Sequence, residues 1–140
     1  MHSKKLFAAL VGLPLLVISA PVLSQDAAMV DLPAICTANA GHDMGTMDMK
    51  MDMGAMDQAH QDLMKGMNES HAQMMKGMTA SDIDVAFVCA MIPHHQGAID
   101  MAKAELAHGD SEWAKEMAQK VIDAQEKEIA DMLNWLNEQK

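Results

Sequence analysis

The feature that most constrains the fold is a helical spacing of apolar residues that runs, with short interruptions, from residue 57 to the end of the chain. Apolar side chains recur at steps of three and four, as in an amphipathic α-helix, and turn signals near residues 80 and 110 divide the region. The predicted helices are 57–78, 82–108 and 111–138. Because short turns make successive helices antiparallel, the sequence predicts an all-α antiparallel helical bundle.

Capping residues set the predicted helix ends. Ser81 or Asp82 is expected to cap the second helix, which ends before Gly109 as a C′ residue, and Asp110 or Ser111 to cap the third. The apolar stripe of the third helix comprises Ala114, Ala118, Val121, Ile122, Gln125, Ile129, Met132, Leu133 and Leu136. Whether a fourth helix is supplied by the N-terminal arm or by a second subunit is open.

Polar residues of the third helix carry two further expectations. The run Glu126-Lys127-Glu128 is expected to lie mostly on the solvated side. Gln125, on the inner face, either bonds a histidine and fixes its tautomer or is an ordinary buried amide.

Methionine and histidine are concentrated on the first predicted helix. They form one helical stripe, which consists of His60, Met64, Met67, His71, Met74, Met75 and Met78. Methionine supplies 17 of the 140 residues, whereas there are two Phe, two Trp and no Tyr. A core stripe normally uses Leu, Ile or Val, so this inward stripe favours metal ligands; the alternative is that methionine fills irregular gaps in a core. Gly66 and Gly77 are expected to weaken the helix.

The second helix carries Met91, His94, His95 and Met101 in the stretch from Met91 to Ala102. Neutral thioether sulfur combined with imidazole indicates Cu(I) or Ag(I), because hard ions ignore thioethers. Pro93 removes the hydrogen bond to the Cys89 carbonyl and bends or loosens the turn, at about 3 kcal/mol, which points to function beside the two histidines. The alternative is ordinary packing. We expect the stripes of the first two helices to face each other.

The N-terminal region divides into two predicted segments. Residues 1–24, with Lys4 and Lys5 before an apolar run, are predicted to be a signal peptide, so the protein is expected to be periplasmic or secreted. Residues 25–56 are predicted to be a flexible methionine-rich arm, and residues 57–140 the metal-binding helical bundle. Weaker ligands are expected on the arm at His42, Met44, Met47, Met49, Met51 and Met53, unless the arm is a disordered linker.

Two cysteines, Cys36 and Cys89, permit two interpretations. In an oxidising compartment they form a disulfide that stabilises the fold by about 4 kcal/mol. Alternatively, one or both thiolates bind metal.

The net charge of −10 excludes some classes of partner. Nucleic acid and anionic membrane surfaces are repelled, whereas cations are attracted. No membrane association is expected once the signal peptide is removed.

The run from Phe87 to Ala102, with its Met-Ile-Pro-His-His-Gln core, and the later Ala124-Gln-Glu-Lys-Glu-Ile129 resemble the bacterial family catalogued as domain of unknown function 305. The resemblance covers residues 57–138 and leaves the stretch from Met44 to Met56 outside. It implies a ferritin-like bundle and a periplasmic or secreted copper-binding protein linked to copper tolerance. The implied ligands are His71, Met74, Met75, Met78, Met91, His94, His95 and Met101.

These observations lead to three hypotheses. The first is a non-enzymatic Cu(I) buffer or carrier, in which the two adjacent histidines tune affinity and admit Cu(II). Its expected partners are metal ions, a periplasmic copper exporter or chaperone, and a second copy of the chain. The second is a ferritin-like metal oxidase, for which Glu105 and His108 supply the one Glu-x-x-His motif. The third is a partner-binding bundle.

Overall fold

The computed structural model describes residues 30–37 and 53–139, and the regular structure of this part of the chain is helical throughout. Short 3-10 helices at Ala34–Cys36 and Met53–Ala55 precede α1 (Gln58–Gly77), α2 (Ile83–His108) and α3 (Glu112–Glu138). The predicted helices are confirmed to within one residue at each end. None of the described helices has the length and apolar character needed to cross a membrane.

The helices begin at side chains that accept hydrogen bonds from the first turn. Asp57, Asp82 and Ser111 each accept from backbone N–H groups of the helix that follows them. Such a cap stabilises a helix by about 1 kcal/mol, because the first N–H groups have no partner within the helix. Asp82 and Ser111, rather than Ser81 and Asp110, therefore fix where α2 and α3 start.

Gly109 ends α2, but not in the left-handed conformation expected of a C′ glycine. Its φ is −70°, and its N–H donates to the carbonyl of Glu105. A Cβ at this position would lie 2.7 Å from that carbonyl oxygen. The glycine is therefore needed for a close approach to the last turn of α2.

The central element is α2, which packs along both α1 and α3, whereas α1 and α3 scarcely touch each other. The predicted all-α antiparallel bundle is confirmed. Residues 30–37 and 53–139 contain three long helices and no fourth.

The hydrophobic core lies between α2, α3 and the segment 30–37. Its buried members are Cys36, Val85, Cys89, Ile92, Ile99, Ala102, Ala118, Ile122, Ile129 and Leu136. The predicted apolar stripe of α3 therefore packs inward, and each fully buried Ile or Leu contributes about 1.5–3 kcal/mol of transfer free energy. A disulfide between Cys36 and Cys89 ties the segment to α2.

By contrast, α1 packs on α2 through small residues. Its buried residues are Gly66, Ser70 and Gly77, so it contributes no large side chain to the core. The predicted inward stripe of histidine and methionine on α1 is wrong. The two glycines that were expected only to weaken the helix form its contact surface instead.

Three close contacts fix the register of α1 against α2. They pair Gly66 with Asp100, Ser70 with Gly97, and Gly77 with Cys89. A Cβ added at Gly66 would lie 2.5 Å from the Cβ of Asp100, and one added at Gly77 would lie 2.5 Å from the carbonyl oxygen of Cys89. The two backbones approach so closely that a methyl group has no room at either position.

Pro93 lies within α2, which continues through it from Ile83 to His108. The proline has no N–H for the Cys89 carbonyl four residues earlier. That carbonyl instead lies against Gly77. The lost hydrogen bond therefore falls at a close contact between helices, where a weak Cα–H···O interaction can offset part of its cost.

Candidate metal-binding groove

Potential ligands directly follow the residues by which α1 contacts α2. Met67 follows Gly66, His71 follows Ser70, and Met78 follows Gly77. One residue turns an α-helix by about 100°, so these side chains lie beside the interface between the helices rather than inside it.

The same rule holds on α2. Met91 follows Ala90, Met101 follows Asp100, and His94 lies between them on one stripe. In two right-handed antiparallel helices, the positions directly after the contact residues project on the same side of the pair. The stripes of α1 and α2 therefore do not face each other as predicted. They run side by side along one groove.

We call this surface the α1–α2 groove. It is lined by Met67, His71, Met74 and Met78 of α1 and by Met91, His94 and Met101 of α2. Met67 is 53% exposed and Met78 46%, His94 is also exposed, and the other four are half-buried. Sulfur and imidazole atoms are thus accessible from solvent along the groove.

The register divides the groove into two levels. Residues between Ser70 and Gly77 lie opposite residues 89–97 of α2, so His71 and Met74 are level with Met91 and His94. The other level is where Gly66 contacts Asp100. There, Met67 directly follows Gly66 and Met101 directly follows Asp100. Both levels therefore combine sulfur from two helices, and the first adds two imidazoles.

Other members of the predicted α1 stripe lie outside the groove. Met64 and Met75 lie two and nine residues from Gly66, which puts them about 160–180° around the helix from that contact. His60 is exposed, and its Nδ1 lies 2.8 Å from an Asp57 carboxylate oxygen at the helix start. Met64 and Met75 therefore face away from α2, and the contact with Asp57 holds His60 at the first turn of α1.

His95 is directed towards α3 rather than the groove. It is buried, its Nδ1 lies 2.8 Å from the carbonyl oxygen of Met91, and its Nε2 lies 2.6 Å from a carboxylate oxygen of Glu128. Both partners are hydrogen-bond acceptors, so a ring nitrogen that carries hydrogen can donate to either of them. With both nitrogens engaged, His95 links α2 to α3, whereas its exposed neighbour His94 makes no such bond within residues 30–37 and 53–139.

Sequence reasoning missed Glu128, which was placed in a solvated charge run. The spacing could have indicated its position. Glu128 is seven residues from both Val121 and Trp135, so it shares a helical position with these two half-buried residues. Of the two predictions for Gln125, a bond to a histidine and an ordinary buried amide, the first is not found within the described residues. The side-chain oxygen of Gln125 is buried and has no hydrogen-bond partner within the described residues.

Two carboxylates at the α1–α2 interface have shifted pKa values. Burial raises the pKa of Asp100, and a hydrogen bond from Gln96 opposes this shift. A hydrogen bond from His108 lowers the pKa of Asp62 and joins the end of α2 to the start of α1. The one Glu-x-x-His motif therefore has its histidine engaged with α1.

The described residues restrict what kind of metal site is available. Within residues 30–37 and 53–139, no three His, Cys, Asp or Glu side chains are grouped so as to hold a metal ion. A site with three ligands in this part of the chain therefore needs at least one ligand of another kind, and thioether sulfur is the kind that this sequence supplies in abundance. Cys36 and Cys89 form the disulfide, the first of the two predicted alternatives, so neither sulfur is a thiolate.

Most of the predicted ligands of the arm lie outside the residues that the structure describes. His42, Met44, Met47, Met49 and Met51 lie outside the described residues, as does the predicted signal peptide. Met53 begins a 3-10 helix.

Comparison with known proteins gives one family match. The sequence model of a family described as "Domain of unknown function (DUF305)" matches residues 22–136. The match covers most of the chain and includes the stretch from Met44 to Met56, so the prediction that this stretch lies outside the shared region is wrong. No curated protein matches the chain.

Proposed function

This chain belongs to the family described as domain of unknown function 305, and we propose that it binds Cu(I) in the α1–α2 groove and buffers or carries copper outside the cytosol. The single observation that carries the proposal is the register of α1 on α2. Ser70 lies against Gly97 and Gly77 against Cys89, and helix geometry then supports a position for His71, Met74, Met91 and His94 at one level on the same side of the two helices.

The ligand chemistry favours a soft monovalent ion. The seven residues that line the groove carry no carboxylate, ammonium or guanidinium group. Neutral thioether and imidazole ligands suit Cu(I) or Ag(I), whereas Mg²⁺ or Ca²⁺ requires oxygen ligands. Thioethers also need no deprotonation, so they hold Cu(I) at acidic pH where thiols and imidazoles lose to protons.

Ligands outside the groove take secondary roles in this proposal. His60, Met64 and Met75 form weaker sites on the outer side of α1, together with the arm residues 42–53. His95 orients the turn that carries His94, and it becomes a ligand only if its bond to Glu128 breaks. His94 tunes affinity and admits Cu(II).

The disulfide supports a location outside the reducing cytosol, because such bonds persist mainly in oxidising compartments. We place the protein in the periplasm or outside the cell, where a copper exporter or chaperone would exchange the ion with it and where binding would contribute to copper tolerance. Thioethers suit that compartment because disulfide formation does not consume them.

The experiment is a Cu(I) titration against a chromophoric Cu(I) chelator, with ascorbate as reductant so that the disulfide stays intact. We expect a Met74→Leu/Met91→Leu variant to lose the tightest site, because Leu keeps the volume of Met and removes the sulfur. The matched control is Met132→Leu, a half-buried methionine on α3 away from the groove.

A second comparison tests the role of His94 separately from that of the bond between His95 and Glu128. His94→Ala should weaken Cu(I) binding, whereas Glu128→Gln should leave the affinity within about threefold. Cu(I) should also raise the melting temperature of the wild type, because an ion held by two helices binds only the folded state. Unchanged binding in the Met74→Leu/Met91→Leu variant would refute the groove as the site.

A further inference from the structure

Several large hydrophobic side chains are exposed to solvent. Within the described residues they are Leu63, Met67, Met78, Ile83, Phe87, Trp113 and Met117. Leu63, Met67 and Met78 belong to one stripe of α1, which borders the groove. Ile83 and Phe87 extend the α2 stripe of Met91 towards the start of that helix, at steps of four residues.

The apolar edge of α3 lies on this same side. The bond between His95 and Glu128 shows which edge of α3 adjoins the groove side of α2. Met117, Val121 and Trp135 share that edge with Glu128, and each of the four directly precedes a buried residue of α3. The exposed stripes of all three helices therefore form one continuous surface, which we call the open face.

The other side of α2 is already covered. Cys89 directly precedes the contact residue Ala90, so it projects on the side of the α1–α2 pair opposite Met91. The disulfide holds residues 30–37 there, with Leu32 and Ile35 packed against the core. The chain thus covers one side with its own segment and leaves the apolar side without a partner in the described structure.

The open face has the charge and size of an interface between identical chains. The molecule has a net charge of −10, yet the charged side chains on the exposed stripes of the described helices are few, namely Asp84, Glu105 and Glu128, and Glu128 is bonded to His95. Repulsion between like-charged copies is therefore small at this surface. The three helices are about 30–40 Å long and 8–10 Å apart, so the face spans roughly 500–800 Å², which reaches the area that each partner contributes to a standard interface.

We propose that a second copy of this chain packs on the open face and forms a symmetric dimer. The pairing buries Phe87 and Met117 of both copies and encloses the half-exposed methionines and histidines between two sets of helices. A two-fold axis makes the interface self-complementary, so that one surface suffices on each chain. Neither the packing argument nor the charge argument depends on metal binding.

Sedimentation velocity of the chelator-treated protein over a range of concentrations tests the proposal. We expect a dimer at micromolar concentration, and a dimer dissociation constant raised at least about 30-fold by Phe87→Glu, because a buried like charge is added to each copy. The matched control is Ala130→Glu. Ala130 is exposed on α3 and follows the buried Ile129, so it lies on the other edge of that helix, and this variant should dimerise as the wild type does.

Phe87 and Ala130 are both exposed, so circular dichroism should show both variants folded. A second variant, Met117→Glu, should repeat the effect from α3. A wild type that stays monomeric overturns the proposal, whether the open face is then covered by residues 38–52 or left bare. A dimer that survives both Phe87→Glu and Met117→Glu, or one that forms only when Cu(I) is added, overturns it as well.

Discussion

Adjacent histidines in one helix have different surroundings. His94 and His95 are about 100° apart on α2, which is enough to direct one towards the groove and the other towards α3. His95 is 8% exposed and bonded at both nitrogens. His94 therefore presents an exposed imidazole, and the buried His95 holds the turn of α2 that carries it.

At the same scale, Asp100 makes stability depend on pH. Burial raises the pKa of Asp100 in the folded state above the ordinary value of 3.8, so the folded state holds this proton more tightly than the unfolded state does. Stability contributed by this group is therefore present below pH 3.8 and is lost as pH rises through the folded pKa.

Asp100→Asn should remove that loss, because the amide keeps an acceptor for Gln96 and carries no charge. We expect a higher midpoint of urea unfolding than wild type at pH 7 and an equal midpoint at pH 3. An Asp110→Asn variant, changed at an exposed position, is the control. A lower midpoint for Asp100→Asn at pH 7 would contradict the burial argument.

At the scale of helices, α1 differs from its neighbours in what holds it. The core joins α2 to α3, whereas α1 rests on close backbone contact through small residues. It therefore gains dispersion energy over its length but little burial of large apolar side chains. A helix held in this way is expected to be the first to detach, and to gain most from an ion bound between it and α2.

Gly77→Ala tests this contact. The new methyl group would lie 2.5 Å from the Cys89 carbonyl oxygen, so α1 must move, which costs about 1–3 kcal/mol. That cost should exceed the gain in helix propensity of about 1 kcal/mol. Urea unfolding should show a net loss of stability.

Asn68→Ala supplies the comparison. Asn68 is exposed on the same helix, so alanine should stabilise the protein by up to about 0.7 kcal/mol. If Gly77→Ala were as stable as Asn68→Ala, the close approach of the two helices would not exist in solution.

At the scale of the whole molecule, the disulfide joins segments that are 53 residues apart in the chain. It holds residues 30–37 against the core formed by α2 and α3. The bond thus acts where residues 30–37 and the helical bundle share buried apolar surface.

A Cys36→Ser/Cys89→Ser variant should lose about 4 kcal/mol of unfolding free energy, because the cross-link no longer restricts the conformations of the unfolded chain. Urea unfolding followed by circular dichroism measures the difference. Wild type in a thiol reductant should match the variant. A change below about 1 kcal/mol would show that residues 30–37 pack without the bond.

The sequence by itself determined the helices, because apolar periodicity and capping residues act within a few neighbours along the chain. The ends of α1, α2 and α3 follow from such local signals, as does the apolar face of α3. The concentration of sulfur and imidazole in residues 60–101 is likewise a property of the sequence alone.

Only the tertiary structure decided which surface of each helix packs. A stripe of methionine and histidine resembles an inward face in the sequence, but Gly66 and Gly77 allow a closer approach and so occupy the α1–α2 contact. The partner of His95 also depends on α3, whose Glu128 lies 33 residues away. Helix periodicity gives relative angles around one axis, whereas the direction of a neighbouring helix is set by packing between distant parts of the chain.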